Sequence, residues 1–152
     1  MLSNSLIAKL RADYPTFTFQ NASVSRWSPR DSTVYFRSSR GAGARTLLHE
    51  LGHAIRGHTT YHQDIELLRC EREAWVTAQS IASRYHIEIT DEQVSDAMAT
   101  YRQWLHDRSR CPRCDAGSPQ QHSSLSYRCM LCGTTWHAND ARQCDLRRYK
   151  VT

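Results

Sequence analysis

The chain has 152 residues, 39% of them hydrophobic, and a formal net charge of +5. That is enough apolar material for one real core plus a small appendage held together in another way, so folding does not call for a partner. No run of about 18 consecutive apolar residues occurs and the first residues show no small-residue cleavage pattern, so a cytoplasmic location with no membrane contact is expected. Six cysteines would suit a secreted disulfide framework, but four of them form two Cys-x-x-Cys pairs, which fits reduced thiolates on a metal ion. Cys70 and Cys144 remain as ordinary thiols. The basic excess is entirely C-terminal: residues 1–101 hold 11 basic and 11 acidic side chains, residues 102–152 hold 9 and 4.

Residues 3–14 place Leu6, Ile7, Leu10 and Tyr14 at helical spacing, and Pro15 ends the run. The β-prone stretches 17–19, 24–27 and 33–36, with a Ser-Pro-Arg-Asp-Ser turn over 28–32, predict a small antiparallel sheet. Residues 44–55 read as a helix stopped by Gly57. A long helix is expected over 64–85, its apolar stripe made by Leu67, Ala74, Ala78, Ile81, Ala82 and Tyr85. The next begins at Thr90, which forms a capping box with Gln93, and runs to about Arg108 with Val94, Met98, Tyr101 and Leu105 on one face. Beyond Arg108 helical periodicity stops and Cys, Pro, Gly, Ser and Gln dominate, which places a domain boundary at about 107–110.

The segment His49-Glu50-Leu51-Gly52-His53 carries the candidate chemistry. Histidines four residues apart lie about 40° apart around a helix, so His49 and His53 can reach one metal ion. Glu50, beside them, is the candidate general base for a water whose pKa a zinc ion has lowered, and Gly52 keeps the helix surface open. A catalytic zinc needs a third protein ligand and one open position. The metzincin pattern is missed, because Arg56 and Thr59 stand where its Gly and His belong. Glu73, twenty residues after His53 and directly before Ala74, is the expected third ligand. Glu66, on the same side of that helix, is the reserve, and Glu71 reads as a solvated helix charge. His58 and His62 are further candidates, as ligands or oxyanion stabilisers, although both read as polar loop residues. The row Ala74, Ala78 and Ala82 makes a smooth face for the histidine helix to pack on.

Cys111-Pro-Arg-Cys114 and Cys129-Met-Leu-Cys132 are two knuckles fourteen residues apart, the spacing of a tetrahedral zinc site. A segment of about 40 residues with so few large apolar groups should draw most of its folding energy from the metal. Tyr127, Trp136 and His137 should pack on or beside the second knuckle. Two zinc ions per chain are therefore expected, one catalytic and one structural.

Residues Arg45-Thr-Leu-Leu-His-Glu-Leu-Gly-His53, followed by Glu71-Arg-Glu-Ala74, resemble the ImmA/IrrE metallopeptidases, in which a Glu-Ala motif supplies the third ligand and regulatory proteins are the substrates. The order of the two segments is similar to that of SprT-like proteases, which act on DNA-attached proteins. The resemblance implies an α+β chain: a zincin-like domain over 1–107, with a short antiparallel sheet and three main helices, followed by a four-cysteine zinc ribbon over 108–152. It also implies an endopeptidase cleaving one or a few cytoplasmic proteins. A DNA-associated protease and a non-catalytic binding module stand as alternatives. Strand 34–37, just ahead of the histidine helix, is expected to be the sheet edge that aligns an extended substrate. Protein recognition is the expected role of the ribbon. Weak nucleic-acid binding through Arg108, Arg110, Arg113, Arg128, Arg147 and Arg148 comes second, because the thiolates leave a surplus of only about three charges. Nothing in the sequence sets an oligomeric state.

Overall fold

The computed structural model of the protein describes residues 4–38, 43–139 and 145–151. Over these residues the chain is mixed α+β. In order it forms α1 (Asn4–Asp13), β1 (Thr18–Asn21), β2 (Arg26–Ser28), β3 (Thr33–Phe36), α2 (Gly43–Ile55), α3 (Asp64–Ala82), α4 (Asp91–Arg108), β4 (Tyr127–Arg128), β5 (Thr135–Ala138) and β6 (Arg148–Lys150). A 3-10 turn, Ser83–Tyr85, continues α3. No helix among the described residues is long and apolar enough to cross a membrane. Two compact units result, one of Met1–Thr60 with Arg69–Ser95, the other of Tyr61–Leu68 with Asp96–Thr152. Beside the expected 1–107 and 108–152, Tyr61–Leu68 at the start of α3 and the stretch of α4 from Asp96 onward are grouped with the C-terminal segment.

In the first unit β3 lies in the middle of the sheet. It pairs in parallel with β1, from Thr18 opposite Thr33 to Asn21 opposite Phe36, and antiparallel with β2, Trp27 facing Val34. The sheet is thus mixed, not antiparallel as expected. After β1 the chain passes over the end of β3, where the Ala22 N–H donates to Phe36 O at 2.9 Å, and β2 then comes back along the far side. Strand 34–37 is correspondingly not an edge; both its backbone rows are used, and the free edges belong to β1 and β2. Its composition agrees, since Thr33, Val34 and Phe36 are all buried.

The core beneath the sheet is made by Leu6, Ile7 and Leu10 of α1, by Leu47, Leu48, Leu51 and Ala54 of α2, and by Ala78, Ile81 and Ala82 of α3. Two expected helix signals are present as hydrogen bonds. At the start of α4 the Thr90 N–H donates to Gln93 Oε1 and the Gln93 N–H to Thr90 Oγ1, each at 3.2 Å. At the end of α2, Gly57 takes φ +66°, its N–H bonds Ala54 O at 3.0 Å and the His58 N–H bonds His53 O at 3.0 Å. This paired return needs a left-handed residue, which glycine supplies without a Cβ penalty, and it carries His58 back alongside the last turn of α2.

The second unit is organised around Asp64, the first residue of α3. Its buried carboxylate accepts Arg108 Nε at 2.9 Å and the Tyr127 hydroxyl, while the Arg108 guanidinium also donates to Asn139 O. The Asp64 N–H donates to Gln120 Oε1 at 2.9 Å, so residues 61–68 belong with the C-terminal segment. Burial pushes the Tyr127 hydroxyl up in pKa, and its bond to Asp64 adds to the shift. Strands β4, β5 and β6 form an antiparallel sheet in that order. Tyr127 and Trp136 face each other across it, stacked at 5.5 Å and buried with Cys111 and Cys129, whereas His137 is exposed.

Removing Asp64 would leave the Arg108 charge buried without its counter-ion. We expect Asp64→Ala to lower the stability of the metal-loaded protein by about 3 kcal/mol, against about 1 kcal/mol for loss of the α4 cap in Thr90→Ala. Denaturant unfolding of the two variants checks this, and equal losses would show that the pair is not a buried one.

Candidate metal centres

Gly52 sets the geometry of the first centre. A Cβ built there would lie 2.3 Å from Ala74 O, so the backbones of α2 and α3 meet at this point and any side chain would force them apart. His49 and His53 flank the contact on α2, and Glu71 lies on α3 one turn before Ala74. His49 Nε2 is 3.0 Å and His53 Nε2 3.5 Å from Glu71 Oε2, and the two ring nitrogens are 3.2 Å apart. A tetrahedral ion bound at about 2.0–2.1 Å by nitrogen and oxygen donors holds them about 3.3 Å apart. The three edges bracket that value, and the group can hold a metal ion.

The electrostatics point the same way. Glu71 Oε2 and His49 Nδ1 are buried with no hydrogen-bond partner, so the carboxylate oxygen faces the ring nitrogens as a lone pair that a cation would satisfy. Burial alone would raise the Glu71 carboxyl, but His49 and His53 outweigh it and hold its pKa well below the usual carboxylate range. Trp75 stacks on His49 at 4.2 Å, fixing the plane of that ring.

Glu73, the expected third ligand, is not in this group. Its side chain is 36% exposed, and its Oε2 lies 3.0 Å from His58 Nε2 and 3.5 Å from Arg56. Glu71, expected to be solvated, is 6% exposed. The helical wheel explains both placements, since at about 100° per residue Glu71 falls about 60° from Ala74, near Ala78, whereas Glu73 falls about 100° away on the other side. Membership of the stripe Leu67, Glu71, Ala74, Ala78 was the signal that distinguished them. Glu66, the reserve, accepts the His62 and Gln63 N–H groups at 2.7 and 3.2 Å and so caps α3. The His62 ring stands edge-on to His122, and His58 turns its Nδ1 to His53 Nδ1 at 2.9 Å.

Glu50 projects toward the sheet, where its Oε2 accepts the Trp27 N–H at 2.8 Å. The Trp27 indole N–H donates to His58 O, also at 2.8 Å. Trp27 was legible only as a strand residue, because its place beside Glu50 follows from how β2 packs on α2.

In the second unit, Cys111, Cys114, Cys129 and Cys132 bring their sulfurs within 4.8 Å of one another. Cys111 Sγ lies 3.6 Å from Cys132 Sγ, and Cys114 Sγ 3.5 Å from Cys129 Sγ. Thiolates about 2.3 Å from a tetrahedral ion would stand about 3.8 Å apart. Each knuckle aims a backbone N–H at its first sulfur, Arg113 at Cys111 and Cys132 at Cys129, both at 3.4 Å. The Cys132 N–H helps bring the Cys129 thiol down to about 6. Each knuckle closes on a left-handed residue, Asp115 at φ +63° and Gly133 at +76°. Cys70 is a half-buried thiol, and Cys144 lies outside the described residues.

No family model matches the chain, and no curated protein and no solved structure matches it significantly.

Two metal ions per chain are the expected content by elemental analysis. Glu71→Ala should remove one and Cys111→Ser the other, whereas Glu73→Ala should keep both under saturating metal; the reverse behaviour of the two glutamates would overturn the ligand set. Gly52→Ala should lose the same ion as Glu71→Ala, because the added Cβ drives α3 off α2.

Proposed function

We propose that the protein is a zinc-dependent endopeptidase, a zincin-like domain with a zinc ribbon. The observation that carries this reading is the convergence of His49, His53 and Glu71 at tetrahedral spacing, with Glu50 next to His49 on the same helix. Two histidines and one carboxylate make a donor set that suits zinc and leaves one position open, and four cysteines in two knuckles make a closed structural set. The resemblance of residues 45–53 to the ImmA/IrrE motif supports the same class.

A zinc ion in the first centre would supply Lewis acidity toward a peptide carbonyl and a water of lowered pKa. The residues of the chain do the rest. Glu50 takes the proton of the attacking water and returns it to the leaving amine. The Trp27 N–H on its Oε2 holds the carboxylate in place, and the second carboxylate oxygen is the one left for the proton. His49 is kept in orientation by Trp75.

The substrate we favour is one or a few cytoplasmic proteins, with the ribbon recognising protein. Of the six arginines expected to meet phosphate, Arg108 is buried on Asp64 and Arg110 is paired with Asp115. The remaining four are too few for the six to ten phosphate contacts that give strong salt-dependent binding.

Glu50→Gln should retain zinc and fold while peptide hydrolysis drops by about 10²-fold or more. Mass-spectrometric scoring of cleavage in a mixed peptide library, wild type against variant, checks this; undiminished cleavage by the variant would rule Glu50 out as the base.

A further inference from the structure

We infer that His58 and Glu73 form a proton-ordered relay that fixes His53 as a metal ligand, making them positioning residues for the first centre. This rests on the proposed function only in that His49, His53 and Glu71 hold a metal. Three contacts run in line. Glu73 Oε2 is 3.0 Å from His58 Nε2, His58 Nδ1 is 2.9 Å from His53 Nδ1, and His53 Nε2 faces His49 and Glu71.

The order of protons follows from what each group can do. A carboxylate only accepts, so the proton between Glu73 and His58 sits on His58 Nε2. A neutral imidazole carries one N–H, so His58 Nδ1 is then a bare acceptor, and the short contact to His53 requires the proton on His53 Nδ1. That leaves His53 Nε2 with its lone pair directed at the ligand cluster. Of the tautomers open to the two neutral rings, only this combination satisfies both contacts, and it is the one a metal requires of His53.

The relay is held by the fold and not by its own bonds alone. The turn at Gly57 brings His58 back beside His53, and the Trp27 indole N–H on His58 O anchors its backbone. The His58 and His53 side chains are 10% and 12% exposed, so their mutual contact is sheltered from water. The relay gives Glu73 a part beside the ligand position that sequence reading had offered it.

The test is zinc affinity of the first centre in the full chain, with the four-cysteine site filled, by competition with a chelator. Glu73→Gln keeps shape but loses the charge, and its amide can donate as well as accept, so the proton order is no longer fixed; it should weaken zinc by about tenfold or more, with the melting temperature before zinc enters this centre unchanged. In a His58→Ala background the same change should have no further effect, because its influence passes through His58. Arg56→Ala, which touches Glu73 without entering the relay, should leave affinity within about threefold of wild type. In the zinc-loaded wild type, ¹⁵N spectra of the histidine rings should place the His58 proton on Nε2. An unchanged affinity in Glu73→Gln, full additivity with His58→Ala, or a His58 proton on Nδ1 would each overturn the relay. Failure of wild type to bind zinc at His49 would overturn relay and proposed function together, whereas zinc binding with the expected losses but no peptide cleavage would sink the peptidase and leave the relay standing.

Discussion

The contact between Gly52 on α2 and the carbonyl of Ala74 on α3 is closer than any side chain at position 52 would permit. Helices packed through ordinary side chains stand about 8–10 Å apart; without a Cβ at position 52 the two backbones meet here, and Glu71 Oε2 lies 3.0 and 3.5 Å from the two imidazole nitrogens. The missing Cβ and the small residues Ala74 and Ala78, both fully buried, therefore decide more than packing. They set how α3 lies against α2, and Glu71, one turn before Ala74, is the acid grouped with His49 and His53.

The other side of the centre depends on the sheet. With β3 occupying the middle, β2 is left on the outside against α2, and one residue of it, Trp27, reaches both Glu50 through its backbone and His58 through its indole. The proposed general base and the far end of the histidine chain are thus located by the same short strand. Its hold on Glu50 uses an N–H that an edge strand would otherwise leave to solvent.

Much of this was legible in the sequence because it is local. The spacing of His49 and His53, the Thr90 and Gln93 capping box, the stop at Gly57 and the two cysteine knuckles are all set within a few residues, and each appears as expected. What could not be read was set at a distance. The chain does not announce that β3 inserts between β1 and β2, since register is fixed by pairing and not by propensity. The choice between Glu71 and Glu73 lay within reach, because the apolar stripe of α3 passes through position 71. Proximity to the alanine in sequence points to Glu73, whereas angle around the helix points to Glu71, the acid the structure groups with the histidines. Trp27 left no trace at all, because a tryptophan in a β-prone run is equally at home against any apolar helix.

The position of Asp64 has a consequence for how the chain can be cut and how it comes off the ribosome. Its partners Arg108 and Tyr127 lie 44 and 63 residues further on, with a stretch belonging to the first unit between them. The cysteine segment is therefore not a detachable tail: trimming the chain at 107 would strip Asp64 of both partners and leave an orphan carboxylate at the head of α3. During synthesis the same carboxylate must wait, solvated, until the last third of the protein has emerged. The two units are threaded through one another in sequence, so neither can be lost, exchanged or duplicated as a simple block.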